Sequence, residues 1–349
     1  MITIRHGTTR VVRTAIVVAA LCAASRGVHA GHTASMGIGV GTASPVNTES
    51  AVTLPRGRWA VGVRTEYTNF EDFSDEELAA LRERNPEGGL DAVDSLLNAS
   101  IGGFYGITDD FTLGLRLPYV RRDNLREPEE EEGEEAAEGA GPEVARLGNI
   151  DGIGDLVLFG QYRFFHVPDK QYAAIQLGVK MPTGDTDERS GDERIEADQQ
   201  PGTGSWDGLF GLAYTYWFSP FAFDASVLYT LATEGSQDTE LGDAFNYNFA
   251  LSYRLGGGQQ GVFYAPRQGL AWDLIVELKG EWRDKLEVDD LGNPDFGGHV
   301  LYFSPGARLT VGSNWTFAVS GGVPVVTDLN GTNLADPDFR IIGSVGLSF

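Results

Sequence analysis

Residues 270–283 read LAWDLIVELKGEWR, and their apolar and polar side chains alternate with a period of two. The apolar set is Leu270, Trp272, Leu274, Val276, Leu278 and Trp282. The polar set is Asp273, Glu277, Lys279, Glu281 and Arg283. Because successive side chains of a strand point to opposite faces, this stretch predicts a strand with one apolar and one charged face. It is longer than the usual strand of about five or six residues, and long enough for a tilted membrane crossing of about ten.

The same alternation recurs along the chain and predicts twelve strands in all. It is clearest in residues 111–120, 245–256 and 339–349. The expected strands are 56–69, 95–107, 110–121, 153–166, 170–182, 206–218, 220–231, 244–256, 269–284, 298–311, 314–324 and 338–349. Strand boundaries taken from a pattern shift by a few residues, so ten and fourteen strands are the alternatives.

The connections between these segments alternate between short and long. Short ones include 108–110, 167–169 and 219–220, whereas 256–268 is of intermediate length. Bacterial membrane barrels have short periplasmic turns, long outer loops and girdles of aromatic residues at strand ends. The aromatic residues at expected strand ends are Trp59, Tyr67, Trp206, Tyr216, Trp217, Phe218, Trp272 and Trp282. The predicted fold class is therefore all-β, a transmembrane antiparallel β-barrel with short periplasmic turns and long acidic extracellular loops.

The first thirty residues have the pattern of a cleavable signal peptide. Three arginines precede the apolar run 14–24, which is too short to span a membrane, and Val28-His29-Ala30 has the small-x-small form of a cleavage site. The sole cysteine, Cys22, would leave with this peptide, so no disulfide is expected. Leu21 directly before it disfavours the alternative of a lipidated cysteine.

Three regions follow from this division: a signal peptide at 1–30, a segment at 31–55 and a barrel at 56–349. The middle segment is rich in small residues, as in Gly37-Ile38-Gly39-Val40-Gly41. The sequence leaves two alternatives for residues 31–55: they form a periplasmic segment, or they fold back into the barrel lumen as a plug.

The formal net charge of −24 argues against nucleic acid as a partner. Many of the acidic residues lie in two predicted outer loops, at 127–138 and 183–200. Both loops are expected to be disordered. In the first outer loop, Ser74 and Glu77 have the spacing of a helix capping box.

Charged residues at polar positions of the expected strands form the candidate lumen lining. They are Arg64, Glu66, Arg116, Arg163, Asp224, Arg254, Asp273, Glu277, Lys279, Glu281, Arg283, Arg308 and Arg340. Mixed charges of this kind line an aqueous pore or form a neutralised network that fills a narrow barrel. A barrel of twelve strands is compatible with both, because eight strands leave space only for side chains and sixteen leave a channel.

A family resemblance rests on several short motifs. Gly152-Ile153-Gly154-Asp155-Leu156, followed by Gln161-Tyr162-Arg163-Phe164, resembles a strand of the outer-membrane family named for the meta pathway of phenol degradation. Supporting stretches are 54–59, 180–185, 201–207 and 304–306. The resemblance implies an outer-membrane transporter, and the family name implies aromatic compounds. No helix follows the glycines, so a nucleotide loop is excluded and a bend or close packing is expected.

The expected function is an outer-membrane channel or transporter for small molecules, without catalysis or cofactor. The expected partners are outer-membrane lipid, a small-molecule solute, and the barrel-assembly machinery through the terminal strand ending at Phe349. One alternative is a barrel enzyme of the lipase or protease type, and another is a receptor or structural barrel whose acidic loops bind a partner. His32, His166 and His299 show no ligand spacing, so no metal site is predicted from them.

Overall fold

The computed structural model describes residues 44–84, 91–128, 144–256, 269–289, 291–312, 314–330 and 336–349. Within these residues, twelve long strands form one antiparallel sheet, the fourth strand being broken in two. The first six are β1 (Trp59–Phe70), β2 (Ser95–Thr108), β3 (Phe111–Pro128), β4 (Val144–Ile153 and Leu156–Val167), β5 (Gln171–Met181) and β6 (Asp207–Phe218). The other six are β7 (Phe221–Leu231), β8 (Ala244–Gly256), β9 (Leu270–Arg283), β10 (Gly298–Val311), β11 (Trp315–Leu329) and β12 (Pro337–Ser348).

The sheet closes on itself to form a barrel. Each strand pairs with the next along the chain, and β1 pairs with both β2 and β12, with Val63 opposite Ile101 on one side and Val345 on the other. Closure leaves no free sheet edge, which is the condition for a sheet to lie in lipid. The predicted twelve-strand antiparallel barrel is confirmed.

Alternating side chains divide each wall strand into an outer and an inner face. On β9, Leu274 and Val276 are 51% and 45% exposed, whereas Asp273 and Glu277, which flank them in the sequence, are fully buried. The barrel therefore presents its apolar residues outward and encloses its charges. A soluble protein shows the opposite arrangement.

Short and long connections lie at opposite rims of the barrel, as predicted. The rim with the short turns, such as 109–110, 168–170 and 219–220, is called here the short-turn rim. The long-loop rim carries the connections 71–94, 182–206, 232–243 and 284–297. Residues 129–143 and 257–268 lie outside the described residues, as do the predicted signal peptide and most of the acidic run 127–138.

The long loops contain several short elements. Helix α1 (Asp75–Arg84) begins with the predicted capping box, in which the backbone nitrogen of Ser74 donates to Glu77 Oε2 at 2.9 Å and the Glu77 nitrogen donates to Ser74 Oγ at 3.3 Å. The other elements are two-residue strands and one turn of 3₁₀ helix at Ser236–Asp238. Among the described residues, no helix is long and apolar enough to cross a membrane.

The strands that flank the acidic run are longer than predicted. β3 extends to Pro128 and β4 begins at Val144, and the two pair beyond the barrel, with Glu127 opposite Ala145. The first loop supports this extension, since Ala92 forms a backbone bridge with Arg126. β11 likewise runs to Leu329 rather than to 324.

The expectation of a disordered loop at 183–200 is wrong. The loop folds into the long-loop rim, and Ile195, Ala197 and Gln200 on it are buried. Ile195 packs in an apolar cluster with Phe70, Leu125 and four other residues at the inner face of the rim. Burial of these few apolar side chains orders a segment whose composition is otherwise acidic.

The aromatic residues at strand ends are mostly outward, as a girdle requires. Trp59, Trp206 and Trp272 are 48%, 57% and 47% exposed. Trp217, predicted in the same set, is 4% exposed and faces the interior, where its ring centroid lies 4.8 Å from that of Tyr172. The period of two explains this difference, because Trp217 lies between two outward positions on β6.

The barrel interior as candidate functional site

The chain from Ser44 to Leu54, called here the N-terminal segment, lies inside the barrel. Asn47, Thr48 and Ala51 on it are at most 1% exposed. Its chief contact is Glu277 on β9, whose carboxylate accepts hydrogen bonds from the backbone nitrogens of Asn47 and Thr48, each at 2.9 Å. The Asn47 side-chain amide also donates to Glu277 at 2.8 Å. One buried carboxylate thus satisfies several donors of the segment.

Other interior side chains hold the segment along its length. Thr215 on β6 accepts a hydrogen bond from the Ala51 nitrogen at 2.9 Å, and Thr112 on β3 accepts one from the Leu54 nitrogen at 2.8 Å. Gln161 on β4 donates to the carbonyl oxygens of Ser50 and Val52. Arg64 Nη1 donates to the Val46 carbonyl oxygen at 2.6 Å. The segment therefore crosses the lumen and contacts walls on opposite sides.

Five of the thirteen candidate residues form one buried ion cluster, the Glu66 cluster, in the half of the barrel nearer the long-loop rim. Its members are Arg64, Glu66, Lys279, Glu281 and Arg340. Arg340 Nη1 lies 3.1 Å from Glu66 Oε1 and 2.7 Å from Glu281 Oε1, and Lys279 Nζ lies 2.6 Å from the same Glu281 oxygen. Three cations and two anions leave a formal excess of one positive charge.

A second buried cluster, the Asp273 cluster, joins three neighbouring strands. Asp273 lies 2.6 Å from Arg254 Nε on β8 and 2.8 Å from Arg308 Nη2 on β10. Asp273 is fully buried and Arg308 is 1% exposed. Arg308 also donates to the carbonyl oxygen of Ser44, so this cluster holds the start of the N-terminal segment.

The remaining candidates lie apart from these clusters. Asp224 is 2% exposed and accepts a hydrogen bond from Thr215 Oγ1 at 2.6 Å. Arg163 forms an ion pair with Asp110 at 2.7 Å beside the short-turn rim. Arg116 and Arg283 line a cavity near the other rim. All thirteen candidates lie on the interior side of the wall, and the structure joins eight of them in the two clusters.

Three of the motifs that carried the family resemblance, 152–156, 180–185 and 201–207, meet at one place, called here the motif junction. Asp155 Oδ1 accepts hydrogen bonds from the backbone nitrogens of Thr183 and Gly184, at 3.1 and 2.9 Å. Its Oδ2 accepts from the nitrogen and the hydroxyl of Thr203, at 2.9 and 2.7 Å. A Cβ at Gly202 would lie 2.6 Å from the carbonyl carbon of Gly184, so the two chain segments approach too closely for any larger residue.

Three interior charges at the junction were absent from the candidate set. Lys180 Nζ pairs with Asp207 and lies 3.6 Å from Asp155 Oδ2, and all three side chains are buried. Lys180 and Asp207 occupy inward positions at the ends of β5 and β6, so strand alternation was the signal that could have found them.

A cavity of about 100 Å³ lies beside the junction. Part of its wall is apolar, from Pro118, Val120 and Val157, and part is charged, from Arg116, Lys180 and Asp207. A cavity of about 150 Å³ holds a benzene ring, so this one is of the order of one small ring. Its lining can receive a molecule with both an apolar and a polar part.

Replacing Asp155 with alanine is expected to detach the 182–206 loop from the junction. The change removes acceptors for four hydrogen bonds and leaves the buried Lys180 with one anionic partner fewer. The loop should become cleavable by added protease while the barrel stays resistant. Asp187→Ala on the exposed part of the same loop is the control and should leave the loop resistant; equal resistance in both variants would contradict the role of Asp155.

The two described histidines do not form a common site. His299 Nε2 is 2.8 Å from Tyr247 Oη, and the two rings stack at 5.8 Å on the outer face. His166 is exposed near the end of β4. His32 lies outside the described residues.

Comparison with known proteins agrees with the motifs. The family model described as "Putative MetA-pathway of phenol degradation" matches residues 88–333. The chain belongs to this family. The match confirms the resemblance drawn from the short motifs, and all of the motif junction lies within the matched range. No curated protein matches the chain.

Two proteins of known structure resemble this member of the phenol-degradation family in fold. The COG4313 outer membrane channel from Pseudomonas putida F1 is 16% identical, with a TM-score of 0.58, over 86% of this chain and 98% of that one. The toluene transporter TodX from Pseudomonas putida is 10% identical, with a TM-score of 0.41, over 92% of this chain and 98% of that one. At these identities the likeness concerns the fold alone.

Proposed function

We propose that this protein is an outer-membrane channel for small molecules and performs no catalysis. The observation that carries the proposal is the closed barrel with an apolar exterior and a charged interior, crossed by a segment that belongs to no strand. The family description and the fold shared with an outer membrane channel support the same function. The protein reaches this membrane through the signal peptide 1–30, and the strand ending at Phe349 is what the barrel-assembly machinery recognises.

The N-terminal segment acts as the plug of this channel. Among the described residues, 44–54 pairs with no strand of the sheet, and the segment is held to the wall by hydrogen bonds of side chains such as Glu277, Thr215 and Gln161. Such contacts break one at a time, whereas sheet pairing is lost cooperatively. Passage of a solute therefore requires the segment to move, and the wall can stay closed while it does.

The solute is small and has an apolar part. The cavity beside the motif junction supports this, because its volume is of the order of one ring and its lining is both apolar and charged. The name of the family points to the same class of compound. The solute would rest in this cavity, between the 182–206 loop and the barrel wall.

Conductance across planar lipid bilayers tests the proposal. Deleting residues 44–52 from the folded protein is expected to raise single-channel conductance severalfold, because the deletion removes the chain that crosses the lumen. Deletion of residues 31–43 leaves the plug in place and is the matched control. Folding of each variant is checked by the shift of the unheated band in gel electrophoresis.

Two outcomes would contradict the proposal. If the folded barrel without residues 44–52 passed no more ions or small aromatic solutes than the full chain, the plug and the channel would both be rejected. If the purified protein hydrolysed phospholipid, the claim that it lacks catalytic activity would fall.

A further inference from the structure

Three acidic side chains meet at the long-loop rim, away from the clusters described above. Asp91 lies just before β2, and Glu196 and Asp198 lie on the inward-folded 182–206 loop. One carboxylate oxygen from each lies within 4.8 Å of those of the other two. Asp91 and Asp198 are 8% and 7% exposed, whereas Glu196 opens to solvent. The three carboxylates join two segments that are far apart in the chain.

The side chain of Gln199 lies against the same carboxylates and has one unsatisfied atom. Gln199 is 2% exposed, and its Nε2 donates to Asp91 Oδ2 at 3.1 Å and to Asp198 Oδ2 at 2.9 Å. Its carbonyl oxygen Oε1 is buried and has no hydrogen-bond partner among the described residues. A half-turn of the amide group puts this oxygen where Nε2 lies, beside both carboxylates. A cation between them would then have four oxygen ligands.

The net negative charge of this cluster also favours the binding of a cation. Burial, together with the charge of Asp198, raises the pKa of Asp91 well above its ordinary value. Partial loss of hydration and the charge of Asp198 raise the pKa of Glu196, on the open side, to about 7. Arg122 lies beside the cluster, but its guanidinium donates to the backbone carbonyl oxygens of Asp198 and Gln200. Arg122 and Arg283 both act on Asp198, so three carboxylates and two arginines leave a formal charge of −1.

We propose that Asp91, Glu196, Asp198 and Gln199 form a site for a divalent cation, and that the cation is calcium. Carboxylate and amide oxygens are the ligands of a hard cation, and calcium accepts six to eight oxygens in a flexible geometry, so water completes its shell through the open side at Glu196. The site is independent of the proposed channel function. Bound calcium ties the 182–206 loop to the start of β2. Its dissociation constant is expected to be on the order of 0.1–1 mM, the range of extracellular calcium sites.

Titration calorimetry of the full folded chain in detergent, after treatment with EDTA, tests the site. The wild-type protein is expected to bind one calcium ion with saturable heat. Asp198→Asn, which removes one charge without changing shape, should weaken binding at least tenfold. The control is Asp192→Asn on the exposed part of the same loop, which should bind as wild type does.

Thermal unfolding separates loss of the ligand from loss of the fold. In EDTA, Asp198→Asn should unfold at or above the wild-type temperature, because it relieves repulsion. In calcium, the wild-type Tm should rise and that of the variant should not. An equal rise in both proteins, or no saturable binding to the wild type, would overturn the site. Equal affinity for magnesium would overturn the assignment to calcium.

Discussion

Replacement of Asp273 with asparagine is expected to lower the free energy of unfolding by about 3–5 kcal/mol, the cost of removing one partner from a buried ion pair. The change leaves the buried Arg308 and the largely buried Arg254 without their shared anion. It also weakens the hold of Arg308 on the N-terminal segment. Urea unfolding in lipid vesicles, followed by tryptophan fluorescence, measures the effect.

The neighbouring residue supplies the control for this experiment. Leu274→Ala changes the outward face of the same strand, where the side chain is 51% exposed, and should cost much less. A triple variant that replaces Asp273 with leucine and Arg254 and Arg308 with methionine should recover most of the loss, because it leaves no buried charge alone. A small effect of Asp273→Asn, no larger than that of Leu274→Ala, would contradict the cluster as a buried ion network.

Arginine in place of Val276 is expected to destabilise the barrel by about 2–4 kcal/mol, the cost of a cation on the lipid face near the bilayer midplane. Val276 is 45% exposed on the outer face, between Leu251 on β8 and Pro305 on β10 in the strand register. Because Val276 lies near the middle of β9, an arginine side chain at this position is far from water on both sides of the membrane. The same unfolding assay measures the loss.

The comparison variant is Leu270→Arg, at the end of the same strand beside the short-turn rim. Leu270 also faces outward, at 57% exposed, but its position is at the interface, where a cation costs about 0–1 kcal/mol. A destabilisation by arginine that is larger at Val276 than at Leu270 shows that the outer face lies in lipid, because a surface in water has no such dependence on depth. If both arginines cost the same, the outer face of β9 would not lie in a hydrocarbon layer.

The period of two was sufficient to predict the fold because a membrane barrel repeats one pattern in every strand. Residues 270–283 carry that pattern in full, and β9 begins and ends at these residues. The pattern also assigned the charged residues to the inner face, because the apolar face of a membrane barrel strand faces lipid and the other face points into the barrel. The prediction of strands failed where the alternation stops. One example is β4, which is broken at Gly154 and Asp155.

Ion partners inside the barrel could not be predicted in the same way. Asp273 lies directly opposite Arg254 on one side and Arg308 on the other, so this cluster depends on strand register. Register is fixed by turns and by packing across the sheet, which a single strand does not reveal. The contact between Glu66 on β1 and Lys279 on β9 depends further on the diameter of the closed barrel, because these strands are not neighbours.

The N-terminal segment and the motif junction were the least predictable parts. Residues 44–54 have no regular period, and they are ordered by side chains from strands far along the chain, such as Glu277. Asp155 is found in a glycine motif that predicted only a bend, yet its carboxylate joins three motifs. Such contacts between distant segments arise from the fold and have no local pattern.

The N-terminal segment contacts Thr112 on β3 and Glu277 on β9, which face each other across the ring of strands. Strand number and tilt fix the circumference of a barrel, but a ring of given circumference can be round or elliptical. A chain that links opposite walls selects one of these shapes. In the proposed channel, the largest solute admitted would therefore be determined in part by residues outside the wall, and two barrels with the same twelve strands would differ in size selectivity through this segment alone.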